Sequence, residues 1–133
     1  MTVWDPLRKK EVPLTPEEKV RQWFIGVLSG PMQVPLHKMM SEVGLKYGEG
    51  PVRKEFRADI VVYGRDAAPL MVVECKRPQV ALTPAVWEQA LRYDRVLTVR
   101  YIALTNGTRT LLARRGEDGF VFLDTVPVYG DMQ

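Results

Sequence analysis

A chain of 133 residues corresponds to one ordinary domain, long enough to bury a core without disulfides or structural metals. With 46% hydrophobic and 26% charged residues it is too apolar for a disordered chain and too charged for a membrane protein. The single cysteine, Cys75, excludes an internal disulfide and a cysteine zinc site, while a net charge of +3 and a pI of about 9.1 permit a phosphate-backbone partner without requiring one.

Residues 1–13 carry no signal-peptide core and no apolar run approaches the ~20 residues of a membrane span, so a cytoplasmic protein without a membrane partner is expected. That first segment reads as an extended lead-in to a single domain over 1–133. Thr15-Pro16-Glu17-Glu18 is a helix start: Thr is a good N-cap, Pro suits the first helical position, and Glu18 stands where a capping-box glutamate would. Val20, Trp23, Phe24, Val27 and Leu28 recur at helical spacing and define the buried face, with Lys19, Arg21 and Gln22 elsewhere on the surface; Gly30-Pro31 ends the pattern.

Leu36 to Tyr47 has mixed periodicity and predicts a strand near Ser41 to Lys46, closed by a turn at Gly48-Glu49-Gly50-Pro51. The valine-rich runs Phe56 to Tyr63 and Leu70 to Cys75 predict a β-hairpin around Gly64 to Pro69. Thr83-Pro84 opens a second helix through Leu97 with Val86, Ala90, Tyr93 and Leu97 on one stripe. Tyr101 to Thr105, Leu111 to Ala113 and Phe120 to Leu123 are strands, the first ending at the Asn106-Gly107 turn. This order predicts an α/β domain, a mixed sheet covered by helices.

Strand side chains alternate faces, so Glu74 and Lys76 point one way and Cys75 the other, into the core. A hairpin centred on Asp66 and Ala67 pairs residues whose numbers sum to 133, which sets Asp59 opposite Glu74 within ~6 Å. A one-residue slip would separate them. Two carboxylates so close repel unless a cation or Lys76 offsets the charge. One reading is an ion-pair ladder on a solvated face. The other is a Mg²⁺ site, since Mg²⁺ takes one or two carboxylates plus waters and phosphate oxygens; charges in otherwise apolar strands favour it. Gln89 and Tyr93, four apart, share a helical face, but Tyr93 belongs to the apolar stripe and Gln89 fits a rim position, so the spacing favours a structural role; Glu18 fits a capping box as well as a site role. His37, the lone histidine, reads as surface or local structure.

Five blocks in order carry a family resemblance: Thr15 to Gln22, Arg57-Ala58-Asp59-Ile60-Val61-Val62-Tyr63, Val73-Glu74-Cys75-Lys76-Arg77-Pro78, Gln89-Ala90-Leu91-Arg92-Tyr93, and Leu104-Thr105-Asn106-Gly107. In these the chain resembles the N-terminal nuclease domain of type I restriction enzyme motor subunits, within the PD-(D/E)XK nuclease superfamily. The resemblance implies a three-layer α/β/α restriction-endonuclease-like fold with a central mixed β-sheet. It implies Mg²⁺-dependent endonuclease-like hydrolysis of DNA phosphodiester bonds, with Mn²⁺ as a substitute. Asp59, Glu74, Lys76, Gln89 and Tyr93 become the catalytic set, Glu18, Asp59 and Glu74 the metal ligands, and Arg57 a DNA phosphate contact. Ala58 departs from the proline of the superfamily name, and no Gly-x-x-x-x-Gly-Lys phosphate loop of a translocase is present. DNA, a second copy of the chain, and a restriction-system or helicase protein are the expected partners. The competing expectation is a non-cleaving DNA-binding or assembly module that needs a partner chain for activity.

Overall fold

The computed structural model describes residues 1–48 and 50–133; the expected turn at 48–51 includes Glu49, which lies outside the described residues. The N-terminal segment is a hairpin rather than a simple lead-in. β1 (Thr2–Asp5) pairs antiparallel with β2 (Lys10–Pro13). The Asp5 carboxylate closes the reversal locally by accepting the Leu7 N–H at 2.9 Å and pairing with Arg8, and Lys9 takes a left-handed φ of 54°.

Helix α1 (Pro16–Ser29) begins as its cap predicts, with the Thr15 hydroxyl accepting the Glu18 N–H at 3.1 Å. Its buried face differs from the expected one. Trp23 is 48% exposed, while Glu18, Arg21, Ile25 and Leu28, spaced by three and four, point inward with Val20 and Phe24. Arg21 leaves the surface because buried carboxylates receive it, as described below.

A 3₁₀ turn at Leu36–Lys38 carries the exposed His37, and β3 (Met39–Tyr47) then runs longer than expected. β4 (Lys54–Tyr63) and β5 (Pro69–Cys75) form the hairpin. Helix α2 (Pro84–Leu91) stops short of Leu97; the chain tightens into a 3₁₀ turn at Arg92–Arg95, where Tyr93 is buried and edge-on to Phe56 at 5.2 Å. Of the predicted stripe, Ala90 and Tyr93 are buried and Val86 and Leu97 half-buried. β6 (Tyr101–Thr105), β7 (Thr110–Gly116) and β8 (Gly119–Phe122) complete the sheet. Gly107, at φ 86°, permits the β6–β7 turn to approach α1: a Cβ there would stand 3.2 Å from Val20.

The six strands follow the order β3-β4-β5-β6-β7-β8, antiparallel except for β5 and β6, which the α2 crossover joins in parallel. One face packs Val20, Phe24, Ile25 and Leu28 of α1 against Ile60, Val62, Met71 and Val73. The other packs Ala90 and Tyr93 against Leu45, Val61, Val72 and Ile102. The expected mixed α/β architecture, helices on both faces of a mixed sheet, is what the chain adopts. Among the described residues no helix is long and apolar enough to cross a membrane.

The β4–β5 register is the expected one: Ile60↔Val73, Val61↔Val72 and Val62↔Met71 each sum to 133, and the shift between Val62 and Tyr63 is absorbed toward the turn, where Ala67 takes φ 65°. Simple alternation nevertheless fails at Asp59. Ala58 belongs to the α2-side core and Ile60 to the α1-side core, although residues two apart should share a face. Across from Asp59, between the pairs Ser41↔Ile60 and Val43↔Ala58, Glu42 has φ 57°. The β3–β4 ribbon therefore turns over at Glu42 and Asp59, and the Asp59 side chain comes to the junction of both layers.

Candidate active site

The last residues of β5 are buried through Cys75, so Glu74 sits in a strand covered on both faces. Continuing the register by one residue sets it opposite Asp59, and each is only 9% exposed. One Asp59 oxygen, Oδ2, accepts the Cys75 N–H at 2.7 Å; the other, Oδ1, lies 3.4 Å from Arg21 Nη1. The Tyr93 hydroxyl sits between the Glu74 carboxylate, which it meets at hydrogen-bonding distance, and the Arg57 carbonyl oxygen 3.0 Å away. The tyrosine whose spacing favours packing is buried, and its hydroxyl also reaches Glu74.

Burial, together with the adjacent Glu74 carboxylate, pushes the Asp59 carboxyl up to about 8, against the opposing pull of the Cys75 N–H and Arg21. Burial and Glu74 likewise raise the Tyr93 hydroxyl, which keeps it a hydrogen-bond donor. Lys76 follows the strand, half-buried, its N–H bonded to the Thr105 carbonyl at 2.8 Å; among the described residues its amine pairs with no carboxylate. It stands near the start of α1: Glu17 is raised first by burial and by Asp59, and lowered in turn by Lys76. Cys75 points into the core as expected, its thiol raised by burial.

Glu18 does not join the pair. Its carboxylate accepts from Arg8 Nη2 at 2.7 Å, Arg21 Nη2 at 2.7 Å, Arg21 Nε at 3.0 Å and Gln22 Nε2 at 3.1 Å. Burial alone would raise it, but these donors hold it at about 2. The capping-box role is likewise unfilled by its side chain; only its backbone N–H is capped. The Arg21 guanidinium lies between Glu18 and Asp59, and among the described residues no three His, Cys, Asp or Glu side chains gather closely enough to hold a metal ion. Gln89 is exposed on α2, and Arg57, its side chain 68% exposed, pairs with Glu42 at 3.2 Å.

Sequence reasoning gave no role to Asp5, Arg8 or Glu42 and placed Arg21 on the surface. One signal was available for Arg21: it stands three residues after Glu18, the spacing of a helical ion pair. Arg8 reaches Glu18 only because the N-terminal hairpin folds back, and Glu42 reaches Arg21 at 2.6 Å only through its left-handed backbone.

A metal ion of the implied kind fits the Asp59 and Glu74 oxygens. They are hard carboxylate donors, close enough for Glu74 to raise the proton affinity of Asp59, and a divalent cation needs no more than one or two such groups beside water and phosphate.

The fold and this acidic pair define a three-layer α/β/α domain with two buried carboxylates where adjacent central strands meet the first helix. The family described as "Type I restriction enzyme R protein N terminus" matches over residues 16–127, and the chain belongs to it. Among solved structures the fold is similar to a fragment of an HsdR subunit of a type I restriction enzyme from Vibrio vulnificus YJ016. The TM-score is 0.65 at 19% identity, covering 90% of this chain and 24% of that one. The chain thus spans about a quarter of that relative's chain. No curated protein matches.

Proposed function

We propose that this chain is a PD-(D/E)XK-type, metal-dependent deoxyribonuclease domain of a restriction system, hydrolysing DNA phosphodiester bonds in an endonuclease-like manner. The observation that carries the proposal is the buried Asp59–Glu74 pair with Lys76 two residues along the same strand end. Asp59 and Glu74 would hold Mg²⁺, for which Mn²⁺ substitutes. Bound there, the cation would supply Lewis acidity toward the phosphodiester and toward a water. Lys76, whose amine is free of carboxylate partners among the described residues, orients the attacking water and offsets charge gathering on the phosphate. Tyr93 fixes the Glu74 carboxylate from the α2 side. Arg57, exposed on β4 two residues before Asp59, meets a flanking phosphate, and Gln89, exposed on α2, contacts the substrate. Glu18 serves as the anchor of Arg21, not as a ligand.

Incubation with plasmid and Mg²⁺ tests the proposal. Cleavage is expected from the wild type, and Lys76→Ala should lower its rate by about 10²- to 10⁴-fold. Equal rates for the two proteins would remove Lys76 from the chemistry. A second reading, a DNA-binding or assembly module that cleaves only with a partner chain, draws on one observation: the related HsdR chain is far longer than the portion this domain spans. Salt-sensitive DNA binding without turnover, converted to cleavage by a restriction-system partner, would favour it.

A further inference from the structure

Glu42 lies opposite Asp59 in the middle of β3 with φ 57°, a backbone that non-glycine residues hold only where their surroundings demand it. Its carboxylate collects arginines from three elements: Arg21 Nη1 at 2.6 Å, Arg57 Nη1 at 3.2 Å and Arg8 Nη1 at 3.9 Å. Arg21 is the buried one. Two of its nitrogens, Nε and Nη2, are taken by Glu18 at 3.0 and 2.7 Å. The third, Nη1, faces two acceptors, Glu42 at 2.6 Å and Asp59 at 3.4 Å, and the distances show which one holds it.

We infer that Glu42 is a positioning residue for the cation site: by holding Arg21 Nη1 at 2.6 Å it keeps the guanidinium from closing its 3.4 Å approach to Asp59 into a tight pair and leaves that carboxylate open to a divalent ion. The inference rests on the Asp59–Glu74 pair being that site. Without the Glu42 carboxylate, Nη1 has Asp59 as its remaining charged acceptor among the contacts described, and a guanidinium paired to Asp59 competes directly with a bound cation. The turnover of the β3–β4 ribbon supports this assignment, because the left-handed residue presents its carboxylate between α1 and Asp59 instead of along the ordinary pleat. Arg57 shares the same carboxylate, so Glu42 also tethers the arginine proposed to meet DNA.

The test is calorimetric titration of the full chain with Mn²⁺ for wild type, Glu42→Gln, Arg21→Met and the double variant, each first shown to be folded by a thermal melt. Glu42→Gly is the companion variant, since it deletes the carboxylate and tolerates the positive φ. Should Arg21→Met fail to fold, Arg21→Lys replaces it. Glu42→Gln and Glu42→Gly should weaken Mn²⁺ uptake roughly tenfold, the scale of coupling between contacting groups. In the Arg21→Met background the loss should disappear. An equal loss in both backgrounds would mean that Glu42 acts only through its charge at a distance, and unchanged affinity would mean that it does nothing for the site; either overturns the inference while leaving the cation site standing. Absence of saturable uptake by the wild type would overturn both.

Discussion

Four acids around one helix end are driven in opposite directions, and the cause in each case is the partner a single side chain meets. Glu18 has Arg8, Arg21 and Gln22, so its carboxyl falls from 4.5 to about 2 despite burial. Asp59 has Glu74, so burial and that neighbour raise it from 3.8 to about 8. Glu42 is lowered by Arg21 and Arg57 against its own burial, and Glu17 is raised by burial and by Asp59, which outweigh the opposing pull of Lys76 and Arg21. The sign of each contribution to stability follows from linkage. The Glu18 contribution is complete above about pH 4.5 and is lost as pH falls toward about 2, because its folded carboxyl is the stronger acid. The Asp59 contribution runs the other way: it is complete below about pH 3.8 and is lost as pH rises through about 8. Thermal melts across pH in chelator should therefore show Glu18→Gln flattening the acid limb. Asp59→Asn should remove the decline between about pH 3.8 and 8 and stabilise the chain at neutral pH by roughly 1–3 kcal/mol, the scale of relieving one poorly compensated buried group. Asp59→Asn destabilising the metal-free chain would mean that the pair does not repel.

At the scale of elements, the features set by local chemistry were legible. Thr15 and Thr83 cap their helices as N-caps should, at 3.1 Å to the Glu18 N–H and 3.3 Å to the Val86 N–H. Loop length between β4 and β5 set a register that the structure keeps through Val62. Asn106-Gly107 makes the turn after β6, Asn106 Oδ1 accepting the Thr108 and Arg109 N–H groups at 3.0 and 2.8 Å. What escaped depends on tertiary partners. Trp23 fits the apolar period of α1, yet the inward face is used by Glu18 and Arg21, because α1 abuts the acidic end of the sheet. The reversal of alternation at Asp59 arises from one backbone angle at Glu42, which no side-chain pattern signals. The end of α2 is set by Tyr93, drawn toward Glu74 and Phe56. Of the site, Asp59 and Glu74 with Lys76 were legible from strand alternation and register, and Tyr93 only through the family resemblance, whereas the arginine bridge around them was not. Since α1 carries both Glu18 and Arg21, its cap bears on the site. Thr15→Ala should cost about 1 kcal/mol in urea denaturation, and a change within error would show that the cap is replaced by water or by the hairpin.

Across the whole molecule, two cores grip opposite faces of one sheet, and the carboxylate pair sits where the strand exchange between those faces occurs. The α1 side brings Arg21 against Asp59, and the α2 side brings Tyr93 against Glu74. Each layer therefore sets one side chain beside the pair, Arg21 3.4 Å from Asp59 and Tyr93 bonded to Glu74, and neither helix alone assembles the site. The chain belongs to the type I restriction enzyme R protein N-terminal family and shares its fold with an HsdR fragment. The decisive measurement is anomalous diffraction from crystals soaked in Mn²⁺. A single peak between the Asp59 and Glu74 carboxylates, with Glu18 still bound to Arg8 and Arg21, is the result expected. No peak at the pair, or an ion seated on Glu18 instead, would contradict the assignment of Asp59 and Glu74 as the metal-holding centre.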